Sequence, residues 1–129
     1  EQYRLTNDVK FIEHIKNMPA IYNLSDVVIS SSIEPEAFGR VAVEGQAMEK
    51  FVIASNIGGS NETIVDKKSG FLFKAGNPHD LLEKLTLVLD LDSETASKIK
   101  EEARNNVIKK FDVEKMCFST YSEYKKLIN

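Results

Sequence analysis

Residues 27–54 read VVISSSIEPEAFGRVAVEGQAMEKFVIA, and their pattern decides the fold. The stretch opens on Val27-Val28-Ile29, a β-branched run bounded by Asp26 and by Ser30-Ser31-Ser32. It closes on Phe51-Val52-Ile53-Ala54, a second run of the same kind. Both runs are continuously apolar rather than alternating, which is how strands buried on two faces read. Ala37 to Glu49, between them, is rich in small residues and reads as a helix. Apolar strands separated by helices predict a parallel sheet covered on both faces.

The pattern extends in both directions. Upstream, Val9-Lys10-Phe11-Ile12 reads as a short strand and Met18 to Ser25 as a short helix with apolar Ile21, Tyr22 and Leu24. Downstream, Gly58-Gly59 breaks the chain, Asn61 to Val65 reads as one short helix, and the turn Lys68-Ser69-Gly70 leads into a strand, Phe71-Leu72-Phe73. Strands then stop. Asn77-Pro78-His79-Asp80 is a helix start, with Asn as cap, Pro at the first helical position and Asp in the first turn. Asp92-Ser93-Glu94 starts a second helix, running to about Lys110, and Asp112 caps a third that carries Val113, Met116, Tyr121, Tyr124 and Leu127. The expectation is one α/β unit over residues 1–129, with a parallel sheet of about four strands and a helical tail from about residue 92.

Composition narrows the function. Across 129 residues, 17 Lys and Arg face 20 Asp and Glu, for a formal charge of −3, which argues against the electropositive surface that holds nucleic acid. A single cysteine, Cys117, makes no internal disulfide and no thiolate zinc site; inside an apolar helical pattern it is expected to be inert core. His14 and His79 are far apart, with no clustered ligands and so no metal-binding spacing. No apolar run approaches the roughly 20 residues of a membrane helix. Glu1 to Lys10 are polar and unlike a signal peptide.

The chemistry concentrates in Glu34-Pro35-Glu36-Ala37-Phe38-Gly39-Arg40-Val41-Ala42-Val43-Glu44. This segment joins a strand to a helix, at the carboxyl edge of the sheet where α/β folds bind ligands. Pro35 holds Glu34 away from helical angles, so the helix begins after it. Phe38-Gly39 then stands at the helix start, where unpaired backbone N–H groups attract phosphate or other anions, and Gly39 lets a ligand approach the backbone. Glu36 and Glu44 flank this point, on the order of 10–12 Å apart along a helix axis. That is wider than the roughly 6.5–9.5 Å of an inverting glycosidase pair. It suits a grip on two separate hydroxyl-bearing groups of one extended ligand, such as a molecule with a sugar at each end and phosphates between. The plain reading of such a pair is a helix-end acid, Glu36, and a solvated one, Glu44.

The run Glu36-Ala37-Phe38-Gly39 through Glu44 resembles the E-x-F-G-x4-E motif of retaining glycosyltransferases of the family 4 type, which have two Rossmann-like domains. Three further segments fit in order. Tyr22 to Ser30 resembles the approach to that motif, Val52 to Ser55 with Gly58-Gly59 and Glu62 resembles the following element, and Ser69 to Leu72 resembles the next strand. The wording of residues 34–48 is similar to bacterial lipopolysaccharide core and envelope polysaccharide transferases. By position, the resemblance implies that Glu36 faces the transferred sugar, as the catalytic residue, and that Glu44 holds the ribose hydroxyls of the donor. It implies donor contacts from Phe38, Gly39 and Arg40, a pocket shaped by Gly58 and Gly59, and Ile15 packed near the nucleobase. The donor would be a UDP-, GDP- or ADP-hexose and the acceptor a glycan or lipid-linked sugar, with no metal and no further cofactor.

The sequence departs from the family at Glu13 and Glu49, where Gly is usual, and at Phe51, where Pro is usual. No basic G-R-L-x-x-x-K-G element precedes Val9. The expectation is therefore a Rossmann-like partial domain, the later part of a donor-binding half, inactive alone and cytoplasmic. Lys109, Lys110, Lys125 and Lys126 with Phe118, Tyr121 and Tyr124 offer a peripheral inner-membrane contact, against the plainer reading of a solvated face with an apolar stripe on the core. A sheet short of strands leaves an edge for self-association. The competing readings are an epimerase-type two-domain enzyme acting on nucleotide sugars and a non-catalytic flavodoxin-like interaction module.

Overall fold

A computed structural model describes residues 5–128. Glu1 to Arg4 and Asn129, which the single-unit reading takes in, lie outside the described residues. Three parallel strands form the sheet in the order β1 (Val27–Ser30), β2 (Phe51–Ser55), β3 (Phe71–Phe73). Val28 pairs with Val52, and Ile53 with Phe71.

The central strand explains its own sequence. All five residues of β2 are buried, because helices cover both faces. Val52 and Ala54 point into one core with Val28, Tyr22, Ala42 and Ile64, under α1 (Met18–Leu24) and α2 (Arg40–Ala47). Phe51 and Ile53 point into the other with Phe71, Phe73, Val88 and Ile99, under α4 (Pro78–Leu89) and α5 (Ser93–Lys110). A short α3 (Ser60–Thr63) follows β2. Where α2 crosses the sheet it presents Gly45; a Cβ there would stand 2.9 Å from Val52 Cγ2 and 3.3 Å from Val28. The starts of α4 and α5 follow the sequence reading. The Asn77 side chain accepts the backbone N–H groups of His79 and Asp80, and Asp92 accepts those of Glu94 and Thr95. Those bonds hold the carboxyl of Asp92 below its ordinary pKa.

Four expectations change. Residues 9–12 are not a strand: their backbone is irregular and exposed, with Phe11 93% exposed, so the described sheet has three strands. A four-residue β-prone run needs a neighbour to pair with, and β propensity alone does not supply one. The helix after β1 begins at Arg40 rather than Ala37, which leaves Glu36 in a loop. The helical rise therefore does not set its separation from Glu44. α6 (Val113–Ile128) buries none of its residues: Met116, Phe118, Tyr121 and Leu127 all stand more than half exposed. Cys117, expected in a core, is exposed on it. Periodicity identifies an apolar helix face but not what covers it.

α5, by contrast, belongs to the body. Its second half runs back along α2, with Arg104 donating to the Ala47 carbonyl. The side-chain amide of Asn106 donates to Gln46 Oε1 at 3.0 Å and to the Thr63 carbonyl at 2.9 Å, while the fully buried Gln46 amide donates to Ala42 and Thr63 carbonyls. This network ties α5 to α2 and to the end of α3. Asn106→Ala leaves Gln46 Oε1 buried without this donor, and we expect a loss of about 1–3 kcal/mol in urea unfolding. An unchanged midpoint would show that the network does not cross-link these helices.

Candidate functional site

The strands are parallel, so the loops leaving β1 and β2 meet at one edge of the sheet. The β1–α2 loop carries Glu36 and Phe38, and it rests on Gly58-Gly59 of the loop after β2. The Gly59 N–H donates to the Glu36 carbonyl at 2.8 Å. A Cβ on Gly58 would stand 2.5 Å from the Glu36 carbonyl oxygen, and one on Gly59 2.6 Å from Phe38 Cα. The two glycines are thus a close backbone-to-backbone seat rather than a plain turn. Ser32 donates its hydroxyl to Glu36 Oε1, which orients the exposed carboxylate.

Gly39 begins α2 with φ +77°, in the left-handed region that glycine favours, and no side chain caps the helix. The Gly39 carbonyl takes up the Ala42 and Val43 amides at 3.1 and 3.3 Å, so at the head of α2 it is the amides of Arg40 and Val41 that are left to solvent or to an anion. The Phe38 side chain is engaged elsewhere: it packs edge-on against Phe111, with ring centroids 5.4 Å apart at 81°. That contact borders an open hollow of about 340 Å³ shared with Val113 and Met116 at the α5–α6 junction.

Glu44 lies farther along α2. Its Oε2 accepts the Tyr22 hydroxyl at 2.8 Å, and its Oε1 accepts the Arg40 guanidinium at 2.9 Å. Burial, then the Glu44 carboxylate against its hydroxyl, push the Tyr22 phenol up to about 12, so it stays a proton donor at any physiological pH. Glu44, Arg40 and Tyr22 line an open hollow of about 410 Å³ with Lys16, Met18 and Pro19. Glu36 does not line this hollow, so the two acids, expected to grip one ligand together, do not share it. Ile15 is half-buried in the irregular segment before α1, next in the chain to Lys16, without lining the hollow itself. Among the described residues, no group of three or more His, Cys, Asp or Glu is gathered closely enough to hold a metal ion.

Two members of this arrangement escaped the site reading of the sequence: Tyr22, read as an apolar helix position, and Ser32, read as a strand boundary. For Tyr22 a signal existed. A phenol on the buried face of a helix seeks a hydrogen-bond partner, and a carboxylate on the neighbouring helix is the strongest one to be had.

An uncharacterized glycosyltransferase of Methanocaldococcus jannaschii is 31% identical over 97% of the chain, which spans 40% of that relative's length. The crystal structure of a glycosyltransferase from Rickettsia africae superposes on 99% of the chain with a TM-score of 0.92 and 38% identity, covering 34% of that protein. Anabaena Alr3699/HepE, solved with UDP and glucose, superposes on 97% of the chain with a TM-score of 0.91 and 27% identity, again over 34% of its own length. The model of the glycosyl transferases group 1 family matches residues 1–106, and the chain belongs to that family.

Proposed function

We propose that this chain is the donor-binding part of a retaining glycosyltransferase of the family 4 type. It serves a longer, two-domain enzyme that moves a hexose from a nucleotide sugar to a glycan or lipid-linked acceptor in envelope polysaccharide or lipopolysaccharide synthesis. The observation that carries the reading is the Glu44 carboxylate, held by Tyr22 and Arg40 over an open hollow. Ahead of it in the chain lie the uncapped head of α2 and the Ser32-oriented Glu36. An acid that accepts hydroxyls, a cluster of amides that accepts phosphate and a second acid beyond them match the order of groups in a nucleotide sugar. The complex of Anabaena HepE with UDP and glucose, on the same fold, supports the assignment.

In this reading Glu44 takes the ribose hydroxyls, and Glu36 faces the transferred sugar. The backbone amides of Phe38 and Gly39 reach the sugar or diphosphate. Arg40 and the head of α2 stabilise the negative charge that grows on the departing nucleoside diphosphate, the kind of preorganised electrostatics that lowers a barrier most. No metal ion or cofactor is assigned a step. Gly58 and Gly59 hold the Glu36 loop in place, and Ile15 closes on the base beside Lys16. Among the described residues no helix is long and apolar enough to cross a membrane.

The test is a titration of UDP, ADP and GDP into the chain, followed by calorimetry and amide NMR. We expect one nucleotide to bind saturably, with shifts clustered at Phe38, Gly39 and Glu44. Removing the charge in Glu44→Gln should weaken it about tenfold, the worth of one hydrogen bond to a charged group. Shifts confined to another surface, or equal affinity in the variant, would sink the assignment.

A further inference from the structure

The two oxygens of the Glu44 carboxylate are held very differently. Oε2 accepts from Tyr22, a residue only 4% exposed and packed with Val28, Ala42 and Val52 beneath α2. Oε1 accepts from Arg40, whose side chain is 83% exposed. One partner is fixed by the core and the other moves freely in water, where such an i,i+4 pair is weak. We propose that Tyr22 is a positioning residue for donor recognition. It locks Oε2 and so presents Oε1 to the hollow as the acceptor for the vicinal hydroxyls of a ribose, making the site selective for ribonucleotides. The proposal rests on the ribose-holding role assigned to Glu44 above.

Three observations support it. A ring serving only the core would be as well packed as Phe, and burying a hydroxyl is unfavourable unless it is bonded; here the hydroxyl donates to Glu44, across 22 residues of sequence. The raised pKa keeps that hydroxyl a donor, so the carboxylate stays the acceptor. Tyr22, Arg40 and Glu44 also border the same hollow, so the locked carboxylate lies where a ligand arrives. Without the Tyr22 hydroxyl, nothing opposes rotation of the carboxylate into a two-pronged pair with the Arg40 guanidinium, in which both oxygens face the arginine. Arg40 can swing aside when hydroxyls or a diphosphate arrive, whereas Tyr22 cannot.

The experiment measures affinities of the chain for UDP, ADP and GDP and for their 2′,3′-dideoxy analogues, in the wild type, Tyr22→Phe, Glu44→Gln and the double variant. Phe keeps the ring, and thermal unfolding confirms that each variant folds. We expect Tyr22→Phe to weaken the binding nucleotide about tenfold. Its affinity for the dideoxy analogue should be unchanged, and it should have no further effect in the Glu44→Gln background. Loss of affinity for both forms alike, or a second loss on top of Glu44→Gln, would show a merely structural tyrosine and overturn the proposal. If Glu44→Gln weakens binding and Tyr22→Phe does not, the ribose role of Glu44 stands and the positioning role falls. If no nucleotide binds the wild type, or Glu44→Gln is without effect, both readings fall together.

Discussion

Glu36→Gln in the complete enzyme should lower turnover by about 10²–10³, the scale seen when one preorganised electrostatic group is removed from a transition state. Affinity for the nucleotide should stay within about twofold. The asymmetry follows from placement. Glu36 lies in the loop ahead of α2 and does not line the hollow beside Glu44, so in the proposed reading it meets a different part of an extended donor. Gln preserves the shape and leaves an amide oxygen to accept the Ser32 hydroxyl, and the Glu36 carbonyl still accepts the Gly59 N–H. Only the negative charge is lost, and that charge matters most as positive character grows on the transferred sugar. The check is kcat from a transfer assay beside nucleotide affinity from calorimetry. Turnover near wild type would remove Glu36 from the chemistry.

Gly58→Ala should cost about 2–5 kcal/mol, combining about 1–2 for a left-handed residue with a Cβ and about 1–3 for overpacking. Gly58 has φ +57°, and the added carbon meets the Glu36 carbonyl at 2.5 Å and the Glu36 nitrogen at 2.8 Å, both of them backbone. The loop carrying Glu36 and Phe38 must lift, so nucleotide binding should fall with stability. Gly76→Ala separates the two contributions. Gly76 has φ +72° but open space around its Cβ position, so it carries the conformational strain alone. Urea unfolding of both variants gives the comparison, and equal losses would show that Gly58-Gly59 is an ordinary turn and not a seat for the site.

Much of this was legible in the sequence, for local reasons. Phe51 to Ala54 declare a parallel strand buried on both faces, because an uninterrupted apolar run has no face to give to water; Val27-Val28-Ile29 declares a strand too, but at the end of the sheet order only Val28 is buried and Ile29 stands exposed. Asn77-Pro78 and Asp92 declare helix starts, because a cap bonds residues two or three positions away. The segment from Glu36 to Glu44 declares a strand-to-helix junction at the carboxyl edge of the sheet, although the helix begins at Arg40. The same local rules failed at residues 9–12, whose β character finds no strand to join, and at α6, whose apolar stripe finds no cover among the described residues.

The sequence by itself determined the three strands of the sheet, the starts of α4 and α5 and the order of the two acids around Phe38-Gly39, all set by neighbours within a few residues. Only the tertiary structure decided that Tyr22 clamps Glu44, that Gly58-Gly59 carries Glu36, that α5 returns along α2 to set Phe111 against Phe38, and that Asn106 reaches Gln46 across 60 residues. Periodicity and capping extend over one or two turns of chain, whereas these contacts exist only once the sheet has brought distant segments to the same edge.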